Sequence, residues 1–81
     1  MDPDATFELM LSAYRNSNWE EAAEHAGAIL AWLPGGGFAP KVTIGLNKNG
    51  LLFEFAHDWT NRTAAGAVAR VIMIESRHNS I

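Results

Sequence analysis

The sequence contains no cysteine, no long apolar run and no basic segment at its start. Without thiols, neither a disulfide framework nor a thiolate-bound metal can hold the chain together, so stability must come from the burial of apolar side chains. No apolar run reaches the roughly 18 residues that a membrane-spanning helix needs, and a signal peptide would begin with basic residues. We therefore expect a cytoplasmic protein that does not enter a membrane.

Charged residues are unevenly distributed along the chain. Residues 1–24 hold six carboxylates and one arginine, residues 25–40 hold no Asp, Glu, Lys or Arg, and residues 41–81 have a net charge of +2. A nucleic-acid-binding surface needs clustered basic residues, and the acidic N-terminal third argues against one. With 48% hydrophobic residues, the 81-residue chain is apolar enough to fold as a single domain over residues 1–81.

The stretch around residues 18–34 carries the strongest helical signal. Asn18 and Glu21 form a capping-box-like pair, and Pro34 with the three glycines after it ends the helix. Its apolar stripe consists of Trp19, Ala22, Ala23, Ala26, Ile29, Leu30 and Leu33. From Ala26 onward the helix is small or apolar all round, which indicates burial on more than one side. Either the C-terminal half of the chain or a second copy must cover the second face.

A first helix opens at Asp2-Pro3 and ends near Arg15, because aspartate caps a helix and proline suits its first position. Two helices that are joined by about three residues lie antiparallel. The sequence therefore predicts a helical hairpin over residues 1–34, followed by a Gly/Pro loop at 35–40.

Part of this hairpin is similar to a known repeat. Ala13-Tyr14, Trp19, Glu21-Ala22 and Pro34, twelve residues after Ala22, together resemble one tetratricopeptide repeat over about residues 5–34. The resemblance implies that Ala22 lies where the two helices cross. It also implies a groove for a peptide, a function that such repeats perform when several of them stack.

Residues 41–59 give the clearest β signal. Asn49-Gly50 is a strong hairpin signal, because a type I′ turn needs positive φ at both central residues. The register of a two-residue loop pairs Leu46 with Phe53, Ile44 with Phe55, Thr43 with Ala56, Val42 with His57 and Lys41 with Asp58. A four-residue loop from Asn47 to Gly50 would keep the same faces and lose the last of these pairs. An isolated hairpin is marginal in water, so we expect it to lie across helix two.

Residues 60–75 are open to two interpretations. The alanine-rich start favours a helix, whereas Val68, Val71, Ile72 and Ile74 are β-branched and favour a third strand. We favour the helix, with residues 76–81 as a tail. The predicted fold class is α+β, in the order ααββα.

The residues offer little that points to catalysis or metal binding. The run of glycines at 35–37 follows a helix, whereas a phosphate-binding loop precedes one. The histidines lack metal-ligand spacing, so we expect no metal and no cofactor, although Glu21 and His25 share a helix face. His57 and Asp58 are the candidates for acid–base work or ligand binding, together with His25, but no nucleophile accompanies them.

An apolar excess on so short a chain favours an interaction surface. The candidates for that surface are Trp32, Phe38, Val71 and Met73. The leading hypothesis is a small non-enzymatic interaction module that acts as a homodimer or with a protein partner. A minimal enzyme or small-ligand binder is the second hypothesis, and a winged-helix-like DNA-binding protein is the third.

Overall fold

The computed structural model describes residues 1–45 and 52–79. Within them the chain forms three helices, α1 (Pro3–Arg15), α2 (Trp19–Trp32) and α3 (Asp58–Asn79), with a 3-10 turn at Leu33–Gly35 that continues α2. Two short strands, β1 (Thr43–Gly45) and β2 (Leu52–Glu54), pair antiparallel between α2 and α3. We find no described helix that combines the length and the apolar character needed to span a bilayer.

Helix α2 is the centre of the domain, because α1 packs along one side of it and α3 along the other. The buried core draws on all three helices: Phe7, Met10 and Ala13 from α1, Ala22, Ala26 and Ile29 from α2, and Ala65, Ala69 and Ile72 from α3. Small side chains at the contacts let the helices approach closely, and Met73 of α3 packs over Gly27 of α2. The second face of α2 is therefore covered by the chain itself.

The α+β class and the β-hairpin predicted from the sequence are wrong. The described residues form an all-α domain, in which the strands are a three-residue ladder and not a layer of the fold. Helix α3 occupies the face of α2 on which the hairpin was expected. The ladder pairs Thr43 with Glu54, which is the register of the four-residue loop, whereas the two-residue loop would have paired Thr43 with Ala56. The predicted Asn49-Gly50 turn lies outside the described residues.

The predicted pairing of Lys41 with Asp58 is also wrong, because neither residue belongs to a strand. Asp58 is the first residue of α3, and its carboxylate accepts a hydrogen bond from the Ala39 amide. The Lys41 amide donates to the Asp4 carboxylate of α1. Both ends of the expected hairpin are thus bound to helices, which prevents the ladder from extending outward from Thr43 and Glu54.

The helical interpretation of residues 60–75 is the one found, and α3 is longer than predicted at both ends. Residues 76–79, assigned to a tail, are part of it. Its buried positions recur at helical spacing: Asn61, Ala65, Ala69, Ile72 and Ser76. Burial of this face against α2 outweighs the strand preference of the β-branched residues, because propensity is a weak prior beside tertiary packing.

The α1–α2 connection ends α1 with a Schellman motif. The Asn18 amide donates to the Ala13 carbonyl and the Ser17 amide to the Tyr14 carbonyl. Ser17 has a φ of 58°, in the left-handed region that glycine normally occupies at this position. The rings of Tyr14 and Trp19 meet edge to face, with centroids 5.7 Å apart, and this contact fixes the angle between the helices.

We expect Ser17→Gly to stabilise the domain by about 1 kcal/mol, because glycine adopts the left-handed conformation without the steric cost of a Cβ atom. Ser12→Gly is the matched control, since Ser12 is exposed within α1, where replacing serine with glycine should cost about 0.5 kcal/mol. Urea denaturation of the two variants measures both effects. Equal midpoints for the two variants would contradict the assignment of this turn.

We expect Ala26→Glu to prevent folding, because Ala26 is fully buried in the centre of α2 and nothing there can pair with a carboxylate. Glu20→Ala, at an exposed position in the first turn of the same helix, should change stability by less than about 0.5 kcal/mol. Circular dichroism during thermal denaturation separates the two outcomes. A cooperative transition in Ala26→Glu would show that this face of α2 is not in the core.

Candidate functional site

Side chains from all three helices fix the loop that follows α2, residues 36–42. The Trp32 indole of α2 donates to the Phe38 carbonyl at 2.7 Å, and Asp4 of α1 accepts from the Lys41 amide at 2.7 Å. From α3, Asn61 accepts from the Val42 amide at 2.9 Å. This loop carries one charged side chain, Lys41, so its conformation depends on hydrogen bonds to its backbone rather than on ion pairs.

The N-terminal part of α3 supplies further contacts to this loop. Asp58, Asn61 and Arg62 lie on one side of the helix because they are three and four residues apart. The Arg62 guanidinium donates to the carbonyl oxygens of Leu33 and Gly37, and it also pairs with Asp58 at 3.1 Å. We call Asp58, Asn61 and Arg62 the loop clamp.

Asn61 joins the chain on both sides of the ladder. Its amide oxygen accepts from Val42, just before β1, and its amide nitrogen donates to the carbonyls of Phe55 and His57, just after β2. The side chain is buried, so each of these bonds replaces one that water would otherwise make. One asparagine side chain therefore holds the residue before β1 to the residues after β2.

The loop clamp has a defined dependence on pH. The hydrogen bond from the Ala39 amide, followed by the hydrogen bond from Arg62, lowers the pKa of Asp58 below its usual value. A carboxyl group whose pKa is lower in the folded state stabilises that state fully above its unfolded pKa. This contribution is lost as the pH falls through the lowered pKa. Loosening of the loop is thus expected in acid and not near neutrality.

Two of the four predicted interface residues lie at this loop. The Trp32 ring is half-buried beneath it, and a Cβ atom on Gly37 would overlap the ring. Trp32 therefore holds the loop and is not a free anchor. Phe38 is 82% exposed, although its carbonyl oxygen is held by the Trp32 indole.

The other two predicted interface residues lie on opposite sides of α3. Met73 is half-buried against Gly27, inside the contact between α2 and α3. Val71 is 56% exposed and points away from that contact. Only Val71 and Phe38 of the four thus remain as large exposed apolar groups in the described part of the chain.

The three residues proposed for ligand binding or acid–base work do not form one polar cluster in the described contacts. Asp58 is engaged in the loop clamp, His57 is exposed and has its carbonyl bound by Asn61, and His25 is half-buried on α2. Among the described residues, no group of three or more His, Asp or Glu side chains could hold a metal ion. The described contacts use Asp58 as a structural acceptor.

An apolar groove of about 380 Å³ runs between α1 and α3. It forms because both helices pack on α2 and make few contacts with each other. The residues that line it are Leu11, Tyr14, Ala67, Val68, Val71 and Ile72. We call it the α1–α3 groove. Ile74, one turn beyond Val71, is 67% exposed and extends its apolar surface.

At the rim of this groove, a hydrogen bond connects α1 to α3. The Tyr14 hydroxyl donates to Glu75 Oε2 at 3.2 Å. The negative charge of Glu75, together with desolvation and this hydrogen bond, raises the pKa of Tyr14 above its usual value. Tyr14 therefore stays a neutral donor near neutral pH and orients the Glu75 carboxylate.

A second groove, of about 400 Å³, lies between the end of α2 and α3. Its lining consists of Leu30, Leu33, Pro34, Arg62, Thr63, Gly66, Ala67 and Arg70. The Arg62 guanidinium is already bonded to the carbonyl oxygens of Leu33 and Gly37 and to Asp58. Arg62 therefore belongs to the loop clamp. Arg70 is exposed at the rim.

Sequence reasoning missed the α1–α3 groove and the role of Ile74. A signal was present, because Ala67, Val71 and Ile74 recur at i, i+4 and i+7 once residues 58–79 are taken as a helix. Asn61 was missed as well. Its role depends on residues 19 positions away, and no local pattern marks such a contact.

Comparison with protein-family models, with curated proteins and with solved structures finds no match to this chain. The resemblance to a tetratricopeptide repeat therefore stays a prediction. Ala22, the residue on which it depends, is fully buried between α1 and α2.

We expect Asn61→Leu to destabilise the domain by roughly 2–3 kcal/mol, because the buried Val42 amide loses its acceptor and two carbonyls lose this donor. Asn79→Leu is the control at the exposed end of α3, where less than about 0.5 kcal/mol should be lost. Urea denaturation measures both variants. If Asn61→Leu unfolds at the wild-type midpoint, the loop clamp does not contribute to stability.

Proposed function

We propose that this protein is a small non-enzymatic interaction module that self-associates through the α1–α3 groove and the apolar residues beside it. The observation that carries the proposal is the exposed apolar strip of α3, formed by Ala67, Val71 and Ile74. We call this strip the α3 ridge. A monomeric protein of this size rarely leaves such a strip next to an apolar groove unless the surface has a partner.

A second copy is the occupant that fits this surface best. The ridge and the groove lie side by side on the same part of the chain, and Ala67 and Val71 belong to both. A two-fold contact brings the same patch of each copy together, so the ridge of each copy packs against the ridge of the other, beside the two grooves. A single surface thus supplies both halves of the interface.

The wider hypotheses from the sequence receive less support. Acid–base catalysis would need Asp58, whose carboxylate holds Ala39 and Arg62. DNA binding by a winged helix would need an exposed recognition helix, and α2 lies between α1 and α3. A different protein partner on the same surface and a cytoplasmic location both remain predictions.

We expect Ile74→Glu and Val71→Glu each to weaken self-association at least about 30-fold, because each places a carboxylate in the apolar contact. Both positions are exposed, so the helical circular dichroism spectrum should not change. Leu9→Glu is the matched control, since Leu9 is 54% exposed on α1 and does not line the groove.

Sedimentation equilibrium over a range of micromolar concentrations measures the association. Wild type and Leu9→Glu should approach twice the 8.8 kDa chain mass, and the two ridge variants should stay near 8.8 kDa. Wild-type protein that remains at 8.8 kDa throughout would overturn self-association. A wild-type dimer that persists in both ridge variants would place the interface elsewhere.

A further inference from the structure

We propose that the two copies pair with their α3 helices parallel, about a two-fold axis along the helices, and that Arg70 of each copy binds Glu75 of the other. This inference rests on the proposed self-association and specifies its geometry. Its basis is a heptad pattern on the face of α3 that lies away from α2. The exposed residues at the two contact positions of this pattern are Ala67, Val71, Ile74 and His78, spaced by four, three and four.

This face of α3 is free to pair because the opposite face is already used. Ala65, Ala69 and Ile72 are buried against α2, whereas Ala67, Val71 and Ile74 are exposed. One side of α3 thus completes the core of its own chain, and the other offers a continuous seam. Ala67 at the first exposed contact position allows close approach of the two helices, and the larger Val71 and Ile74 supply apolar area further along.

The charges beside this seam distinguish the two possible directions of pairing. Arg70 immediately precedes Val71 and lies on one flank, and Glu75 immediately follows Ile74 and lies on the other. In a parallel pair, opposite flanks meet, and a residue contacts the one five positions further along in the other helix. That rule places Arg70 opposite Glu75 of the second copy. Because of the two-fold axis, the dimer contains two such Arg70–Glu75 pairs.

In an antiparallel pair each flank meets the same flank of the other copy. The flank that carries Arg70 also carries Arg77 one heptad later, so an antiparallel contact would bring arginines together. Like charges at an interface raise the free energy of the complex, whereas opposite charges lower it and fix the register. Charge complementarity therefore favours the parallel arrangement.

The Glu75 side chain is oriented for this contact before the copies meet. The Tyr14 hydroxyl bonds to Oε2 and leaves Oε1 to accept from a guanidinium. Arg70 is exposed at the other flank. Pre-orientation reduces the side-chain entropy that would be lost when the pair forms.

Charge reversal tests the Arg70–Glu75 contact. Arg70→Glu and Glu75→Arg should each weaken the dimer about tenfold, because each sets like charges against one another at both contacts. The double variant should recover affinity to within about threefold of wild type, since the pairs are restored with exchanged ends. Arg15→Glu, an exposed arginine at the end of α1, is the control and should leave the affinity unchanged. Equal affinities for wild type and both single variants would overturn the contact.

Single cysteines test the direction of the helices, and the absence of native cysteine makes this experiment clean. In a parallel pair, position 71 faces position 71 and position 74 faces position 74. Val71→Cys and Ile74→Cys should therefore each form a disulfide-linked dimer on mild oxidation, because both pairs lie within bridging distance. Ser12→Cys, exposed on α1, should not.

Efficient cross-linking of the two cysteine variants only when they are mixed would show an antiparallel pair and overturn the inference. Sedimentation of the wild-type protein separates this failure from failure of the proposed function. A monomeric wild type ends both proposals. A wild-type dimer that neither charge reversal nor the single cysteines affect retains self-association and overturns parallel pairing of α3.

Discussion

The loop clamp is the constraint on which the rest of the structure depends. The chain that connects α2 to α3 has backbone N–H and C=O groups outside the helices, and these groups need hydrogen-bond partners. Asp58, Asn61 and Arg62 provide those partners for both the loop after α2 and the segment before α3. Asp58 is also the first residue of α3, so these contacts lie where the helix begins. The ladder between β1 and β2 is short because the chain on both of its outer sides is already held by these side chains.

The helical hairpin could be predicted from the sequence because its signals are local. Asn18 is the N-cap residue of α2, although its side chain donates to the Glu21 carboxylate at 2.9 Å and caps no backbone amide. Pro34 and the glycines after it follow the end of the helix. The fold class could not be predicted in this way. The β pattern of residues 41–59 is also local. It contains no information about the three side chains of α3 that bind the ends of that segment. A contact across 19 residues has no sequence signature of its own.

The choice of interface candidates depended on a related assumption about α2. Trp32 was a candidate because it lies on the face of α2 turned away from the helical hairpin, where either the β-hairpin or a second copy was expected. Helix α3 covers that face, and the Trp32 indole supports the loop beside it. Val71 was selected as a surplus apolar residue and is exposed. The same β-branched residues that suggested a strand lie on two sides of the helix. One side is the buried face around Ile72, and the other is the exposed strip around Ile74.

The central position of α2 also explains why α3 has an unburied apolar side. A domain of 81 residues has little surface to spare, and two helices are needed to cover α2 alone. Nothing in the described part of the chain then packs on the far side of α3, where Val71 and Ile74 lie. A second copy would cover this side without any further chain, because each α3 would meet its equivalent. On this view, α3 has two apolar sides that are buried in succession. Folding buries the side that faces α2, and association would bury the side that remains.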